Sequence, residues 1–295
     1  MTAELITLLG GRAVGHVRQE KQGRLAFTYD ADWREADEAY PLSLSMPIAA
    51  AEHGHAAINT FLWGLLPDND RVLERWAKKF QVSARNAFGL IANVGEDCAG
   101  AVQFVRPDRL DAVLKGGADE IEWLSEAAIA DRLRALREDN TAWRLPRDTG
   151  QFSLAGAQPK TALLYDDGQW GVPSGRIPTT HILKPPIGHF DGHAENEHIC
   201  LALARDLGIP AAFSRVMCFK DEVAIVVERY DRVKFGNDIV RVHQEDICQA
   251  LSIPPIAKYQ NEGGPGAADI VELLRTNSSD RTADVATFVD ALALN

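Results

Sequence analysis

The sequence predicts an α+β protein, antiparallel sheet first and helices last, and three observations carry that prediction. Residues 5–29 alternate short apolar runs with glycine-bearing turns. A second series of apolar runs, between 161 and 229, is broken in the same way, and beyond about residue 236 only helical periodicity remains. At 295 residues and 46% hydrophobic content, the chain is long enough for one large or two medium cores.

Taken in order, 5–9, 13–17 and 24–29 read as strands separated by Gly10-Gly11 and Lys21-Gln22-Gly23, the pattern of an antiparallel meander. Residues 57–66 and 70–80 follow as helices broken at Pro67, the second presenting Val72, Trp76 and Phe80 four residues apart. Ser83 is placed to cap a helix that runs to Val94 and stops at Gly95, and 99–105 is a strand. Residues 108–122, polar and interrupted by Gly116-Gly117, read as a flexible joint, with a bridging helix at 125–138. Strands are expected at 161–165, 170–172, 181–184, 213–219 and 223–229. The last is apolar throughout, as a strand covered on both faces should be. Helices are expected at 195–207, where Ile199, Leu203 and Leu207 recur, and at 244–251, 269–275 and 283–294.

Composition excludes several classes. With 31 basic against 42 acidic residues the net charge is −11, which argues against direct nucleic-acid binding by this chain. The four cysteines are scattered with no C-x-x-C, and read as reduced core thiols of a cytoplasmic protein rather than a disulfide frame or zinc site. No apolar run approaches 18 residues and the start has no leader pattern, so neither a membrane span nor a targeting segment is expected.

The chemistry concentrates between 149 and 186. Ser153, Leu154, Ala155, Gly156 and Ala157 form a run of small residues opening onto the strand at 161–165, and such a backbone can wrap an anion and aim its N–H groups at it. The run matches neither G-x-x-x-x-G-K-[ST] nor G-x-G-x-x-G, so an ordinary strand-entry loop remains the alternative. Asp166-Asp167-Gly168 is a hairpin turn, Thr179 to Lys184 a strand ending in a lysine, and Glu195 and Glu197 fall in the first turn of the following helix. Loop, strand, lysine and helical glutamate stand in the order of a protein-kinase small lobe, where the lysine pairs the nucleotide phosphates and the glutamate steadies it.

With these residues in place the chain resembles the HipA-like serine/threonine kinase toxins of bacterial toxin–antitoxin pairs. The likeness is carried by Ser153 to Gln158 with Lys160, by Thr180 to Lys184, by Asn196-Glu197, by Val227 to Arg232 and by His243 to Leu251. Upstream, Phe61 to Asn69 and Gly95 to Val102 also match. The resemblance implies a small amino-terminal α+β domain at 1–107, a linker and bridging helix at 108–143, a kinase-like small lobe at 144–235 and the beginning of a helical large lobe at 236–295. It implies ATP with Mg2+ as cofactors: phosphates on Ser153 to Ala157, Lys184 as their cation, Glu197 as its partner, and Glu228 and Tyr230 at an adenine hinge. Ser153 matches the family's self-phosphorylated serine. The implied partner is a HipB-like DNA-binding antitoxin, and the implied substrate a cytoplasmic translation protein such as an aminoacyl-tRNA synthetase.

In the family a catalytic loop of the form D-x-H-x-K-N follows, and it is expected beyond Asn295. Asp191 to Asn196 imitates that loop with Glu195 for lysine, yet lies between the lysine strand and its helix, the wrong place for a base. A chain without that loop would be a module binding antitoxin or ATP without turnover, and an in-frame downstream motif would distinguish the two. A metal hydrolase is the rival enzyme class, through His189, His193 and His198 or His53 and His55, but no H-E-x-x-H is present and no metal site is expected. No G-x-S-x-G elbow supports Ser153 as a hydrolytic nucleophile.

Overall fold

In the computed structural model, residues 3–116, 119–145, 152–188, 192–236 and 238–294 are described. The chain folds as α+β around two antiparallel sheets. Strands β1 (Ala3–Leu9), β2 (Arg12–Gln19) and β3 (Leu25–Tyr29) form the expected meander. Gly10 and Gly11 both take positive φ, as a two-residue hairpin turn requires. A short helix α1 (Ala31–Arg34) and a two-residue strand β4 (Glu52–His53) follow, and β5 (Val102–Val105) completes the order β4-β3-β2-β1-β5. One face of this sheet buries Leu5, Val17 and Phe27 under α2 (His55–Gly64), α3 (Asp70–Phe80) and α4 (Ala87–Val94). The other face packs Ile6, Leu8 and Val105 against Val113 of α5 (Leu110–Lys115).

The cap of α4 is Asn86, whose side chain accepts from Gly89 N, and not Ser83, whose hydroxyl accepts one turn earlier from Arg85 N. The region read as a flexible joint carries α5 and then β6 (Ile121–Leu124), which pairs with β8 at the edge of the second sheet. Its polarity fits a half-covered edge strand, not a linker. Helix α6 (Glu126–Glu138) is capped by Ser125 and does bridge: Leu136 lies in the first core, Ile129 and Leu133 in the second.

The second sheet has the order β10-β11-β9-β7-β8-β6, from β7 (Thr161–Asp166), β8 (Gln169–Pro173), β9 (His181–Lys184), β10 (Ser214–Phe219) and β11 (Glu222–Glu228). Asp167 and Gly168 both take positive φ in the β7–β8 turn, as the Asp-Asp-Gly sequence anticipates. Register divides the sheet cleanly. His181, Leu183, Ala224 and Val226 face α6, whereas Ile182, Lys184, Ile225 and Val227 face α7 (His193–Asp206) and the small-residue loop. Helix α7 forms as predicted, but its Ile199, Leu203 and Leu207 are exposed, and Ala194, Ala204 and Leu201 make the inward contacts.

The chain does not turn helical at 236: β12 (Arg232–Phe235) and β13 (Asp238–Arg241) form a separate hairpin whose alternating Val233, Ile239 and Val240 the helical reading overlooked. Of the expected helix at 244–251 only α8 (Ile247–Ala250) forms, with Asp246 and Gln249 closing a reciprocal capping box. Helices α9 (Ala267–Asn277) and α10 (Arg281–Leu294) follow and pack on each other. Among the described residues no helix is long and apolar enough to cross a membrane. All four cysteines are free, but only Cys98 is buried; Cys200 and Cys218 are exposed, so the core-thiol reading fails for them.

Candidate nucleotide-phosphate site

Strand β9 delivers Lys184 and the first turns of α7 deliver Glu197, and the two meet with Lys184 Nζ 2.5 Å from Glu197 Oε1. Both side chains are mostly covered, so the pair is screened less than one at the surface. A lysine and glutamate thirteen residues apart are thus joined by strand and helix, as their order in the sequence anticipated.

Beside this pair lies the small-residue loop. Thr149 to Gln151, at its start, fall outside the described residues. Phe152 and Leu154 are plugs, buried against Ala162 and Ile182 on the Lys184 face of the sheet. Between them Ser153 is buried, its hydroxyl donating to Leu65 O at 2.7 Å and its amide to Asp97 O at 3.0 Å. Ala155 and Ala157 turn outward. Among the described residues no acceptor takes the amide N–H of Ala155 or Ala157, so two donors are open to an anion, whereas Gly156 is engaged in a parallel bridge with Pro67. Gly156 has φ +99° and a Cβ there would stand 2.9 Å from Lys160 Nζ, two reasons for glycine.

Lys160 was part of the recognised motif without an assigned role. Its Nζ donates to Ala155 O at 2.7 Å and rests 4.4 Å from the centre of the Trp143 ring. Burial, and next the charge of Lys184, pull its ammonium down to about 7, while Asp68 and Glu197 oppose that shift. An arriving phosphate would reverse the balance by pairing both lysines. The sequence signal was only the lysine's position two residues after Gln158. That the loop folds back onto its own lysine is a tertiary fact.

The segment expected at the adenine hinge, to serve the base through its backbone groups, lies at the end of β11. Glu228 lies opposite His181 and shares its face, so its exposed side chain points to the α6 side of the sheet, away from Lys184. There it lines a cavity of about 340 Å³ with Tyr165, Thr180, His181 and Arg215. The amides of Glu228 and Arg229 are already given to Phe213 O and Thr180 O. Tyr230 is exposed, and nothing in the fold gathers its side chain to Lys184.

What the hinge does carry is a buried ionic cluster that no sequence pattern announced. Arg229 holds Asp231 with two bonds of 2.8 and 3.0 Å, and Arg232 Nη2 reaches Asp97 Oδ1 at 2.8 Å. Thr179 gives Asp97 both its amide and its hydroxyl, Gly100 N donates to Asp231, and Arg241 from β13 closes on Asp97 at 3.5 Å. Burial alone would raise the Asp97 carboxyl, but Arg232, Arg229 and Arg241 outweigh it and hold it well below the usual carboxylate range. The cluster rivets the end of β11 to the first sheet's Glu96–Gly100 turn, which fixes where the hinge stands relative to the loop.

The remaining candidates resolve as structural. His53 Nε2 pairs with Pro47 O and His55 Nδ1 accepts from Leu25 N, while His198 bonds Ser214. His189 and Asp191 lie outside the described residues. His243 Nε2 meets Leu42 O, Glu245 accepts from Leu44 N, and Gln249 donates to Phe61 O, so the His243–Asp246 motif clasps its segment to the amino-terminal domain.

Comparison with known proteins agrees with this arrangement. A family model described as the HipA N-terminal domain matches residues 5–105, and one described as the HipA-like C-terminal domain matches residues 152–295. The chain belongs to the HipA family. The Sinorhizobium fredii protein Y4mE, named for a kinase, is 38% identical over 97% of this chain and 68% of its own length. The serine/threonine-protein kinase toxin HipA of Shewanella oneidensis is 31% identical over 90% of this chain and 60% of its own length. The solved Shewanella HipA–HipB–operator DNA complex contains a chain that superposes with TM-score 0.72 at 30% identity, covering 91% of this chain and 60% of that one. The chain thus spans between three-fifths and about two-thirds of the length of these relatives.

Proposed function

We propose that the protein is a HipA-type serine/threonine protein kinase toxin, and that residues 152–197 form its grip on the phosphates of ATP. The observation that carries this reading is the Lys184–Glu197 pair standing beside a loop with two unspent amide donors, Ala155 and Ala157, and a second lysine. A cation held by a carboxylate, next to preorganised N–H dipoles, is what a transferring phosphoryl group requires for charge stabilisation. ATP is the expected ligand, with Lys184 and Lys160 on its phosphates and the Ala155 and Ala157 amides closing over them.

Among the described residues no group of three His, Cys, Asp or Glu side chains is placed to hold a metal. Glu228 and Tyr230 could serve adenine only through backbone groups, and with two hinge amides spent in the sheet the carbonyls and the Tyr230 amide are the candidates. Ser153 is the proposed site of self-phosphorylation. The partner is proposed to be a HipB-like antitoxin, in line with the complex solved for the Shewanella relative, and the substrate a cytoplasmic protein of the translation machinery. The 1–107, 108–143, 144–235 and 236–295 divisions are proposed as the working units. The test is transfer of the γ-phosphate to protein serine by the protein carrying its whole family-length sequence. Transfer should vanish in a folded Lys184→Met variant, and transfer retained there would refute the assignment.

A further inference from the structure

The loop is not held by its own residues alone. A strap from the amino-terminal domain, residues 65–68, runs beside it: Leu65 O takes the Ser153 hydroxyl, Pro67 and Gly156 form a parallel bridge, and Asp68 N donates to Gly156 O at 3.2 Å. The side chain of the same Asp68 reaches in the other direction, and its Oδ2 accepts from Lys258 Nζ at 2.8 Å. Lys258 follows the turn 255–257, which packs on α2, and its ammonium also lies 5.1 Å from the ring centre of Tyr259. Asp68 and Lys258 are a quarter and a third exposed, so the pair is partly shielded. One residue therefore bonds the loop with its backbone and the carboxy-terminal segment with its carboxylate, while Gln249 fastens that segment to Phe61.

We propose that Asp68 and Lys258 form a latch that positions the phosphate loop, so that displacing the 255–258 segment from the amino-terminal domain frees the loop from its docked state. Neither residue touches the Lys184–Glu197 pair. Both reach the loop through Gly156 and are positioning residues, and their charges act on Lys160 only at a distance. With the latch shut, the strap holds Ser153 buried and Gly156 in its bridge with Pro67. With it open, the strap loses its anchor on the carboxy-terminal side, and only Ser153 and the apolar plugs retain the loop. The consequence for nucleotide rests on reading residues 153–157 as the phosphate loop, whereas the latch itself is testable without nucleotide.

The experiment is amide hydrogen exchange on the whole chain, comparing the parent with Asp68→Asn, Lys258→Met and the double variant, in the absence of ATP. Exchange at the Ser153 amide should accelerate roughly 2- to 5-fold in each single variant, the scale of one partly shielded ion pair. The double variant should be no faster than the quicker single one, because the second substitution removes nothing further. The β11 amides should be unchanged. Unaltered loop exchange, additive effects, or acceleration shared equally by β11 would each overturn the latch. Failure of the chain to bind Mg-ATP would instead overturn the phosphate-loop reading and leave these exchange outcomes to decide the latch separately.

Discussion

Ser153 Oγ donates to the carbonyl of Leu65 at 2.7 Å, inside a fully buried contact between the small-residue loop and the amino-terminal domain. A phosphate on that oxygen has no proton to give and no room, and it brings about −1.5 to −2 charges against a carbonyl.

Phosphorylation of Ser153 should therefore expel the loop and close the site. The protein phosphorylated at Ser153 in trans by an active kinase, with occupancy checked by mass spectrometry, should bind Mg-ATP at least tenfold more weakly than the unmodified chain. Ser153→Ala, which loses one hydrogen bond worth about 1 kcal/mol, should keep the loop docked and bind normally. Equal affinities with and without the phosphate would reduce Ser153 to an ordinary loop residue.

The buried cluster makes Asp97 a stability determinant. Asp97→Asn leaves Arg241 without its counter-charge and Arg232 with Asp231 alone, and breaking such buried pairs should cost about 3–5 kcal/mol in denaturant unfolding. The carboxyls of Asp97 and Asp231 titrate lower folded than unfolded. The folded chain then binds fewer protons, so their contribution is present above the ordinary carboxylate pKa of about 4 and is lost as pH falls below it. Asp97→Asn should remove much of that acid dependence.

His181 sets a separate pH window. Enclosed by Tyr165 and Trp170, with Nδ1 2.9 Å from Thr180 Oγ1, it is pulled by burial, and secondarily by Arg215, from 6.5 to about 4. The folded state thus disfavours the imidazolium, and stability present above pH 6.5 is lost as pH falls toward 4. The full loss is roughly 3 kcal/mol at 1.36 kcal/mol per unit. His181→Phe should flatten unfolding free energy between pH 6.5 and 4; an unchanged slope would remove His181 as its source.

How much of this was legible in the sequence depends on the range of the interaction. The meander, the Asp167-Gly168 turn, α3, α6, α7 and the Lys184–Glu197 pairing follow from neighbours a few residues apart or from the order of elements, and these the sequence displayed. The face that the Glu228 side chain takes is set by the β9–β11 register, which no local pattern displays. The ionic cluster joins Asp97 to residues more than 80 positions away, and no local periodicity encodes such a pairing. The stripe Ile199, Leu203 and Leu207 marked a helix correctly but not the side it buries.

Gly100 is one point where that long-range packing brings backbone against backbone. It has φ +76°, and a Cβ would stand 2.8 and 2.9 Å from the backbone N and O of Gln244. Gly100→Ala should destabilise the fold by at least about 1–3 kcal/mol from backbone strain alone. It should also loosen the His243–Gln249 clasp, read as faster exchange of the Gln249 amide. A neutral effect on melting would contradict the close approach.

Calorimetric titration of Mg-ATP into the 1–295 chain and its Lys184→Met variant tests the central claim most directly. Losing charged hydrogen bonds worth roughly 1.5–3 kcal/mol should weaken binding by about 10- to 150-fold. Circular dichroism and melting temperature should stay as in the parent, since the lysine serves phosphate and not the core. Binding by the parent that Lys184→Met leaves intact, or no binding by a folded parent chain, would contradict the account.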